Sequence, residues 1–482
     1  MRTLDILLIP FIAALLVLFI PRKYAKRFAF GASALAFIAT VVLFIQFPIS
    51  ADYQYQFDAE WIHSLGIHFH IGMDGISILL VLLTTFLTPL IIFSTPDDIN
   101  EYSSVFYALM LFMEMALIGV FVAMDGFLFY IFWELALIPI YFICLLWGGQ
   151  YRVKVTLKFF IYTLTGSLFM LVALLFLYLH TPAPHSFNII DLYHAGKALD
   201  APAQGYLFLF FFLAFGIKMP IFPLHTWQPN TYTDAPTQGT MLLSGIMLKM
   251  GIYGVIRWMI PMLPIAAIEY SHYAIWLSVI GIVYASIIAI TRSDIKRLIA
   301  YSSIAHVGLI AAGIFAFNMQ GMQGGVIQML AHGVNVVGLF YIVDIIQKRT
   351  GTRKIMSLGG IRQQAPFFAT AFIIITLGAV ALPLTNGFVG EFLLINGVSQ
   401  YGIVTAGIAG LTIILGAVYM LRTYQHVVLG ETSLESGKFT DLTMNEKVVL
   451  IPILIMVILM GVCPNIFLKV SEPAITKILN GF

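Results

Sequence analysis

Long apolar segments recur along this chain and constrain its fold more than any other feature. A helix needs about 20 predominantly apolar residues to cross a hydrocarbon core about 30 Å thick. A window of about 19 residues finds about fourteen such segments. They lie at approximately residues 3–20, 28–47, 76–95, 104–124, 127–147, 157–179, 206–223, 237–260, 273–291, 299–317, 322–346, 366–396, 402–428 and 447–468. The sequence therefore predicts an all-α polytopic membrane protein with about 14 transmembrane helices.

The composition supports this fold class. The chain has 482 residues, of which 60% are hydrophobic and only 10% are charged, and its mean hydropathy is +0.95. So few charged residues cannot cover a soluble protein of this length. The formal net charge of +2 provides no basic face, so nucleic acid is not expected as a partner.

Positive charge is concentrated in the odd-numbered loops. The clusters are Arg22, Lys23, Lys26 and Arg27; Arg152, Lys154 and Lys158; Arg292, Lys296 and Arg297; and Lys348, Arg349, Arg353, Lys354 and Arg362. Loops rich in lysine and arginine face the cytoplasm, whereas acids such as Asp97, Asp98 and Glu101 in the third loop carry little weight. Both termini are therefore expected on the outer side of the membrane.

The remaining segments give weaker expectations. The first apolar segment lacks a small-residue cleavage site and is expected to be retained as a helix. The loop at residues 48–74 is expected to pack over the outer face, and the polar stretch 430–446 could hold a short interfacial helix. Cys144 and Cys463 have no C-x-x-C spacing, so both are expected to be core residues.

Two apolar segments contain proline-centred breaks. One reads Gly216-Ile-Lys-Met-Pro220-Ile-Phe-Pro223 and the other reads Gly378-Ala-Val-Ala-Leu-Pro383-Leu-Thr-Asn-Gly387. Proline removes a helical hydrogen bond, and backbone groups freed at membrane depth need protein or water partners, so such breaks usually line a cavity. Because the breaks are an odd number of segments apart, they predict two inverted five-helix repeats, each with a broken helix.

These repeats divide one membrane domain, residues 1–482, into four parts. Residues 1–100 are expected to form three N-terminal helices, and residues 101–260 to form the first repeat. The inverted second repeat is expected at 271–428, followed by a polar connection and the last helix at 429–482.

Several ionisable side chains lie deep inside the apolar segments. Glu134, Lys218, Lys249 and Glu391 are too far from the segment ends to reach the aqueous surface easily. A charge at the centre of a bilayer costs about 2.5–3.5 kcal/mol on insertion scales, so such residues indicate ion or proton transfer. His306 and His332 are candidate proton carriers on consecutive helices. Glu114 is a further possible member, whereas Asp344 lies near a segment end and is expected to be structural.

The motifs around these residues resemble the proton-translocating antiporter-like membrane subunits of respiratory complex I. The resemblance covers nearly the whole chain. It rests on Gly72-Met-Asp74-Gly-Ile-Ser77, Phe132-Trp133-Glu134, Lys218 followed by Pro220, Pro223-Leu-His225-Thr-Trp227-Gln-Pro229, Ala235-Pro236-Thr237, Asp294-Ile-Lys296-Arg297-Leu-Ile-Ala300-Tyr-Ser-Ser303 and Gln328-Met-Leu-Ala-His332-Gly333.

This resemblance implies a proton relay. Glu134 and Lys218 would form a switching pair, Lys249 would be the central relay, and Glu391 would be the terminal residue, with the two histidines assisting. Within the family, a glutamate at the position of Glu391 is typical of the M-type branch, because the other branches resemble one another in using lysine. Tyr232 stands where the family often has a loop histidine.

The resemblance also implies which cofactors, partner subunits and membrane to expect. It would bind no cofactor itself, while FMN, iron-sulfur clusters and quinone would lie in partner subunits that oxidise NADH and reduce quinone. L-type and N-type neighbours and lipids would be its partners in a bacterial inner membrane. The alternatives are a subunit of a multisubunit Na⁺/H⁺ antiporter or membrane-bound hydrogenase, and a structural anchor subunit without proton transfer.

Overall fold

A computed structural model describes residues 2–96 and 102–481. The elements of the first part of the chain are α1 (Thr3–Leu16), α2 (Arg22–Ile45), β1 (Gln54–Ile62), β2 (Ile67–Met73), α3 (Gly75–Phe93), α4 (Ser103–Val122), α5 (Gly126–Trp147), α6 (Arg152–Leu179), α7 (Ile189–Lys197) and α8 (Ala201–Lys218). The later helices are α9 (Gln228–Asp234), α10 (Thr237–Leu242), α11 (Leu248–Gly254), α12 (Ile260–Met262), α13 (Pro264–Ile290), α14 (Ile295–Ile314), α15 (Met319–Thr350), α16 (Pro366–Ala379), α17 (Asn386–Tyr401), α18 (Ile403–Val428), α19 (Met444–Val462) and α20 (Asn465–Leu479).

The predicted class of an all-α polytopic membrane protein is confirmed. Within the described residues, 12 helical stretches are long and apolar enough to cross a membrane. Two shorter apolar helices occupy 3–19 and 366–379. The number of crossings, close to 14, and the inversion of the repeats stay predictions.

The outward face of α2 shows why this chain needs a lipid environment. Leu35, Ile38 and Val42 repeat at helical spacing, and each is more than 40% exposed. On the same helix, Ser33 and Thr40 are completely buried. An apolar outer stripe above a buried polar face reverses the usual pattern of a soluble protein and fits contact with lipid.

The chain divides into two compact units. Unit 1 contains residues 1–220, 246–273 and 469–482, and unit 2 contains residues 221–245 and 274–468. In unit 1, α1 packs against α2 and α4, while α5 lies between α4 and α6, and α8 packs against α6 and α11. In unit 2, α15 packs against α14, α16, α17 and α19, and the most apolar part of α15 is buried throughout.

Two aspartates cap helices of unit 1 in the same way. Asp74 accepts hydrogen bonds from the backbone N–H groups of Ile76 and Ser77, at 3.1 and 3.0 Å. Asp125 accepts from Phe127 at 2.9 Å and Leu128 at 3.0 Å. Side-chain caps of this kind satisfy backbone donors that the first helical turn leaves without partners.

The loop at residues 48–74 contains an antiparallel hairpin that the sequence analysis did not predict. Strand β1 pairs with β2 in a register that places Phe57 opposite Ile71 and Ala59 opposite Phe69. The hairpin joins α5 because the His68 N–H donates to Oδ2 of Asp125 at 3.2 Å. Helices α7 and α20 were also not predicted as separate elements.

Two local expectations were wrong. No helix forms between residues 430 and 443, where the structure has turns and extended chain before α19 begins. Cys144 is buried as expected, but Cys463 is exposed. The reason is that Cys463 follows the last residue of α19 and caps that helix end rather than packing inside it. Asp97, Asp98 and Glu101, and the domain boundary predicted at residues 100 and 101, lie outside the described residues.

The cap of α5 predicts a pH effect on stability. Burial raises the pKa of Asp125 from its ordinary 3.8 to about 6, against the lowering effect of its backbone hydrogen bonds. The folded chain therefore binds more protons than the unfolded chain between about pH 4 and 6, so the stability contributed by this group falls as pH rises through that window. At about 1.4 kcal/mol for each pKa unit, the loss is about 3 kcal/mol.

Asp125→Asn cannot ionise but keeps the oxygen that caps α5. Melting curves of the full chain in detergent should show this variant gaining stability relative to the native chain between pH 4 and 7. Asp200→Asn is the matched control because Asp200 caps α8 from an exposed position. Parallel pH profiles for the native chain and Asp125→Asn would contradict the prediction.

Candidate functional site

Glu134 and Lys218 lie close together in unit 1. Glu134 is on α5, and Lys218 is the last residue of α8, directly before the first break. The two side chains are near enough for their charges to interact. The Lys218 ammonium nitrogen also lies 5.3 Å from the ring centroid of Trp133, within the range of a cation–π contact. Residues from two helices thus lie together, and the switching role that the family resemblance implies for them stays a prediction.

This cluster is incompletely paired. Lys218 is 2% exposed, and within the described residues its Nζ has no hydrogen-bond partner, nor does Oε1 of Glu134. Ser167 is within hydrogen-bonding reach of the Glu134 carboxyl group. Burying an ionisable group without full pairing destabilises a fold.

The first break determines where Lys218 lies. Helix α8 stops at Lys218, and regular helix resumes only at Gln228, with Pro220 and Pro223 between them. A cation in the last turn is favoured by the partial negative charge of the free carbonyl groups there. The break therefore places the lysine at a helix end inside an otherwise apolar segment.

Lys249 lies in a helical stretch with irregular hydrogen bonding. Helix α11 is flanked by π-helical turns at Leu243–Met247 and Val255–Met259, and Lys249 is 0% exposed. Such π-helical turns are rare in proteins, and those that occur are often found at functional sites. They widen the helix on both sides of the lysine.

Close packing joins the helix of Lys249 to the helix end that carries Lys218. A Cβ atom added to Gly251 would lie 2.7 Å from the Phe215 carbonyl oxygen and 2.8 Å from the Met219 backbone nitrogen. Both contacts are closer than real Cβ atoms allow. Only glycine lets these two backbones approach so closely, and this approach brings the two lysine-bearing segments together within unit 1.

Unit 2 contains a second cluster, formed by Glu391, His306 and His332. Nδ1 of His306 lies 2.9 Å from Oε1 of Glu391, although the angle is not that of a hydrogen bond. The centroids of the two histidine rings are 6.0 Å apart. The Gln328 amide donates to the same Glu391 oxygen at 3.2 Å, while Oε2 of Glu391 has no hydrogen-bond partner within the described residues.

The second break shapes this cluster. Between α16 and α17 the backbone takes positive φ angles at Ala381 (57°) and Leu384 (73°). The Asn386 side chain, in the first turn of α17, donates to Oδ1 of Asn335 on α15 at 3.0 Å. The hydrogen bond between these buried amides thereby fixes the start of α17 against α15. Asn386 precedes Glu391 by about one and a half turns of the same helix.

Glu114 is the remaining carboxyl candidate in unit 1. It is completely buried in α4, and its Oε1 accepts a hydrogen bond from the Ser33 hydroxyl on α2 at 3.0 Å. Its other oxygen has no hydrogen-bond partner within the described residues. Asp344 lies in an ion pair with Lys348, 2.6 Å away on the same helix, as fits the structural role expected for it.

Two polar contacts were missed by the sequence analysis. Arg257 pairs with Asp74 inside unit 1, and Gln328 binds Glu391 inside unit 2. Both Asp74 and Gln328 belong to motifs noted in the sequence, but their partners are distant along the chain. Tyr232, at the position of the family's loop histidine, is fully buried against Phe340.

The described residues contain no group of three or more His, Cys, Asp or Glu side chains arranged to hold a metal ion. The two clusters supply carboxyl, amine and imidazole groups, which are chemical groups that can exchange protons with water.

Several known proteins are similar to this chain over most of its length. A family model described as NADH:quinone oxidoreductase/Mrp antiporter, TM, matches residues 123–463. The chain is 41% identical over 462 residues to NADH-quinone oxidoreductase subunit M of Rickettsia prowazekii, covering 95% of this chain and 94% of that protein. It is 40% identical over 473 residues to the subunit M of Rhodobacter capsulatus, covering 95% of this chain and 91% of the relative.

Solved structures give the same result for the fold. A chain of respiratory complex I from Thermus thermophilus with bound NADH superposes with a TM-score of 0.90 at 31% identity, covering 99% of this chain and 100% of that chain. A chain of the Mrp complex from Dietzia sp. DQ12-45-1b has a TM-score of 0.88 at 19% identity, over 99% of this chain and 97% of that one, which shows the shared fold alone.

The chain belongs to the NADH:quinone oxidoreductase/Mrp antiporter family of membrane subunits. Its relatives at about 40% identity are the M subunits of NADH-quinone oxidoreductase.

The contact at Gly251 gives a prediction. Gly251→Ala should lower the stability of the chain by about 1–3 kcal/mol, because the added methyl group overpacks the contact with α8. Gly31→Ala is the matched control, since nothing lies within 4 Å of a Cβ at that helical position. The control should be neutral or gain up to about 1 kcal/mol from helix propensity. Thermal unfolding in detergent measures both, and equal melting temperatures would contradict the close approach.

Proposed function

We propose that this chain translocates protons as the counterpart of subunit M in an NADH:quinone oxidoreductase. The observation that carries the proposal is the Glu134–Lys218 cluster, in which a buried amine and a half-buried carboxylate interact while atoms of both lack hydrogen-bond partners within the described residues. Two such groups can exchange protons with water more readily than a fully paired salt bridge can.

The first step of the proposed relay is electrostatic. Two unit charges roughly 7 Å apart, at an effective dielectric of about 20, interact by about 2.4 kcal/mol. Removing such a partner changes the proton-binding equilibrium of an amine by about fifty-fold. Small movements of Glu134 relative to Lys218 would therefore switch Lys218 between binding and releasing a proton. Lys249 would receive that proton through the close contact of α11 with α8.

In unit 2, the relay would end at Glu391. The carboxylate can take a proton from the His306 imidazole, since their nearest atoms are 2.9 Å apart. His332 would supply or remove protons from His306, and Gln328 would hold the carboxylate in place. Glu114 is a possible additional proton carrier within unit 1.

The proposal also covers the partner subunits, the membrane and the orientation of the chain. NADH oxidation and quinone reduction would take place on FMN, iron-sulfur clusters and quinone bound by partner subunits, so that this chain carries protons but no redox centre. L-type and N-type subunits and lipids would surround it in a bacterial inner membrane, with both termini on the periplasmic side.

A multisubunit Na⁺/H⁺ antiporter or membrane-bound hydrogenase is the alternative assembly. The Mrp likeness supports the fold alone at 19% identity, whereas the two quoted relatives at 40–41% identity are subunits of NADH-quinone oxidoreductase. The identities therefore favour complex I.

Glu134→Gln tests the relay. Glutamine keeps the shape of the side chain and a hydrogen bond to Ser167, but it cannot hold a negative charge next to Lys218. In vesicles containing the assembled complex, NADH-driven proton translocation should fall at least about tenfold, equivalent to a barrier increase of about 1.4 kcal/mol. Glu269→Gln, at an exposed position of the same unit, is the control and should pump normally.

An assembled Glu134→Gln complex that pumps at the native rate would instead support a structural anchor subunit. Native gel electrophoresis separates this result from failure to assemble.

A further inference from the structure

A line of polar side chains in unit 1 begins at Lys249. Tyr253 follows Lys249 by four positions within α11, so the two side chains lie on the same helical face. The Tyr253 hydroxyl donates to the Phe121 carbonyl at 2.9 Å and lies 3.2 Å from the Ser77 hydroxyl. The next member is Arg257, whose guanidinium carbon lies 5.8 Å from the centroid of the Tyr253 ring.

Arg257 forms a buried ion pair with Asp74. The exposed fractions are 4% for Arg257 and 2% for Asp74, and Arg257 also donates to the Tyr53 hydroxyl at 3.1 Å. Asp74 needs only Oδ1 to cap α3, since both backbone donors bind that atom. Its Oδ2 is the atom paired with Arg257. Burying two charges carries a desolvation cost that often exceeds their attraction, so stability alone does not explain the pair.

A cavity adjoins this ion pair. It has a volume of about 160 Å³, and Asp74, Arg257, Tyr53 and Tyr193 line it together with the exposed residues Lys197 and Lys477. A space of this size is large enough for water molecules. Within the described residues, Nε of Arg257 has no hydrogen-bond partner, so the arginine offers a further donor beside the cavity.

We propose that Tyr253, the Asp74–Arg257 pair and this cavity form a proton path between Lys249 and the end of unit 1 that carries the hairpin. The path rests on the proposed role of Lys249 as a proton carrier. It gives that lysine an aqueous connection within its own unit, independent of Glu134, Glu391 and the histidines.

Each step of the path moves one proton and leaves the carrier unchanged. The Tyr253 hydroxyl first turns from the Phe121 carbonyl to the Ser77 hydroxyl, 3.2 Å away. The Tyr253 oxygen then accepts a proton on the Lys249 side while its own proton passes to the Ser77 oxygen, and the Ser77 hydroxyl proton leaves toward Asp74. Asp74 accepts it on Oδ2 when that atom separates from Arg257, and then releases it to water in the cavity. A guanidinium does not release its own proton, so Arg257 does not carry the transferred proton. It closes the path by re-forming its ion pair with Asp74 after each transfer.

Blocking the cavity tests this path in the intact complex. Ala51 lines the cavity, so Ala51→Cys, in a background with the exposed Cys463 changed to serine, introduces a thiol there. A membrane-impermeant anionic methanethiosulfonate reagent should then lower NADH-driven proton translocation at least about threefold. Leu65→Cys is the matched control, because Leu65 is an exposed residue at the hairpin turn and does not line the cavity. Full modification of Ala51→Cys without loss of pumping would overturn the path.

Tyr253→Phe provides a second test that keeps the ring and removes only the hydroxyl. Translocation should again fall at least about threefold, whereas Tyr107→Phe, at a buried position of α4 away from the path, should pump normally. Lys249→Ala separates the two proposals. If it pumps normally, the role of Lys249 and the path both fail; if it does not pump but Tyr253→Phe does, the path alone is overturned.

Discussion

One constraint links three of the buried ionisable groups: each lies beside an interruption in regular helical hydrogen bonding, whereas Glu114 and Glu134 lie in continuous helices. Lys218 ends a helix at a proline-containing break, Lys249 lies between two π-helical turns, and Glu391 follows the second break. Backbone groups freed at membrane depth must find partners in protein or water. The same irregular positions therefore supply both the space and the polarity that proton carriers require. The two clusters differ in chemistry, since unit 1 pairs a carboxyl group with the Lys218 amine and unit 2 pairs one with the His306 imidazole.

Glycine and asparagine keep these interruptions tightly packed. Gly251 brings the helix of Lys249 against the end of α8, and Asn386 binds Asn335 where α17 restarts. A loose break would leave backbone groups without partners, whereas a packed one fixes the side chains that follow it. Charge and packing thus act together: the helices hold the ionisable groups at defined positions, and Nζ of Lys218 and Oε1 of Glu134 have no hydrogen-bond partner within the described residues.

The fold class, the two breaks and the burial of Lys218, Lys249 and Glu391 could be predicted from the sequence. The reason is that segment length, proline and isolated charge are local signals. The proposed roles of Glu134 and the other carriers stay predictions. Arg257 was missed since it lies near the end of its segment, where arginine usually reaches the surface. The first strand of the hairpin does have a local sequence signal, which is the alternation of Tyr55, Phe57, Ala59 and Trp61 with polar residues. The π turns and the contact of Gln328 with Glu391 have no local signal, because they depend on tertiary packing.

The central claim is that buried carboxyl groups of this chain change protonation during turnover. Infrared difference spectra of the assembled complex, recorded with and without NADH, test it most directly through the carbonyl stretch of protonated carboxyl groups. The account predicts a difference band that loses one component in Glu134→Gln and a separate component in Glu391→Gln. Difference spectra unchanged in both variants would contradict it.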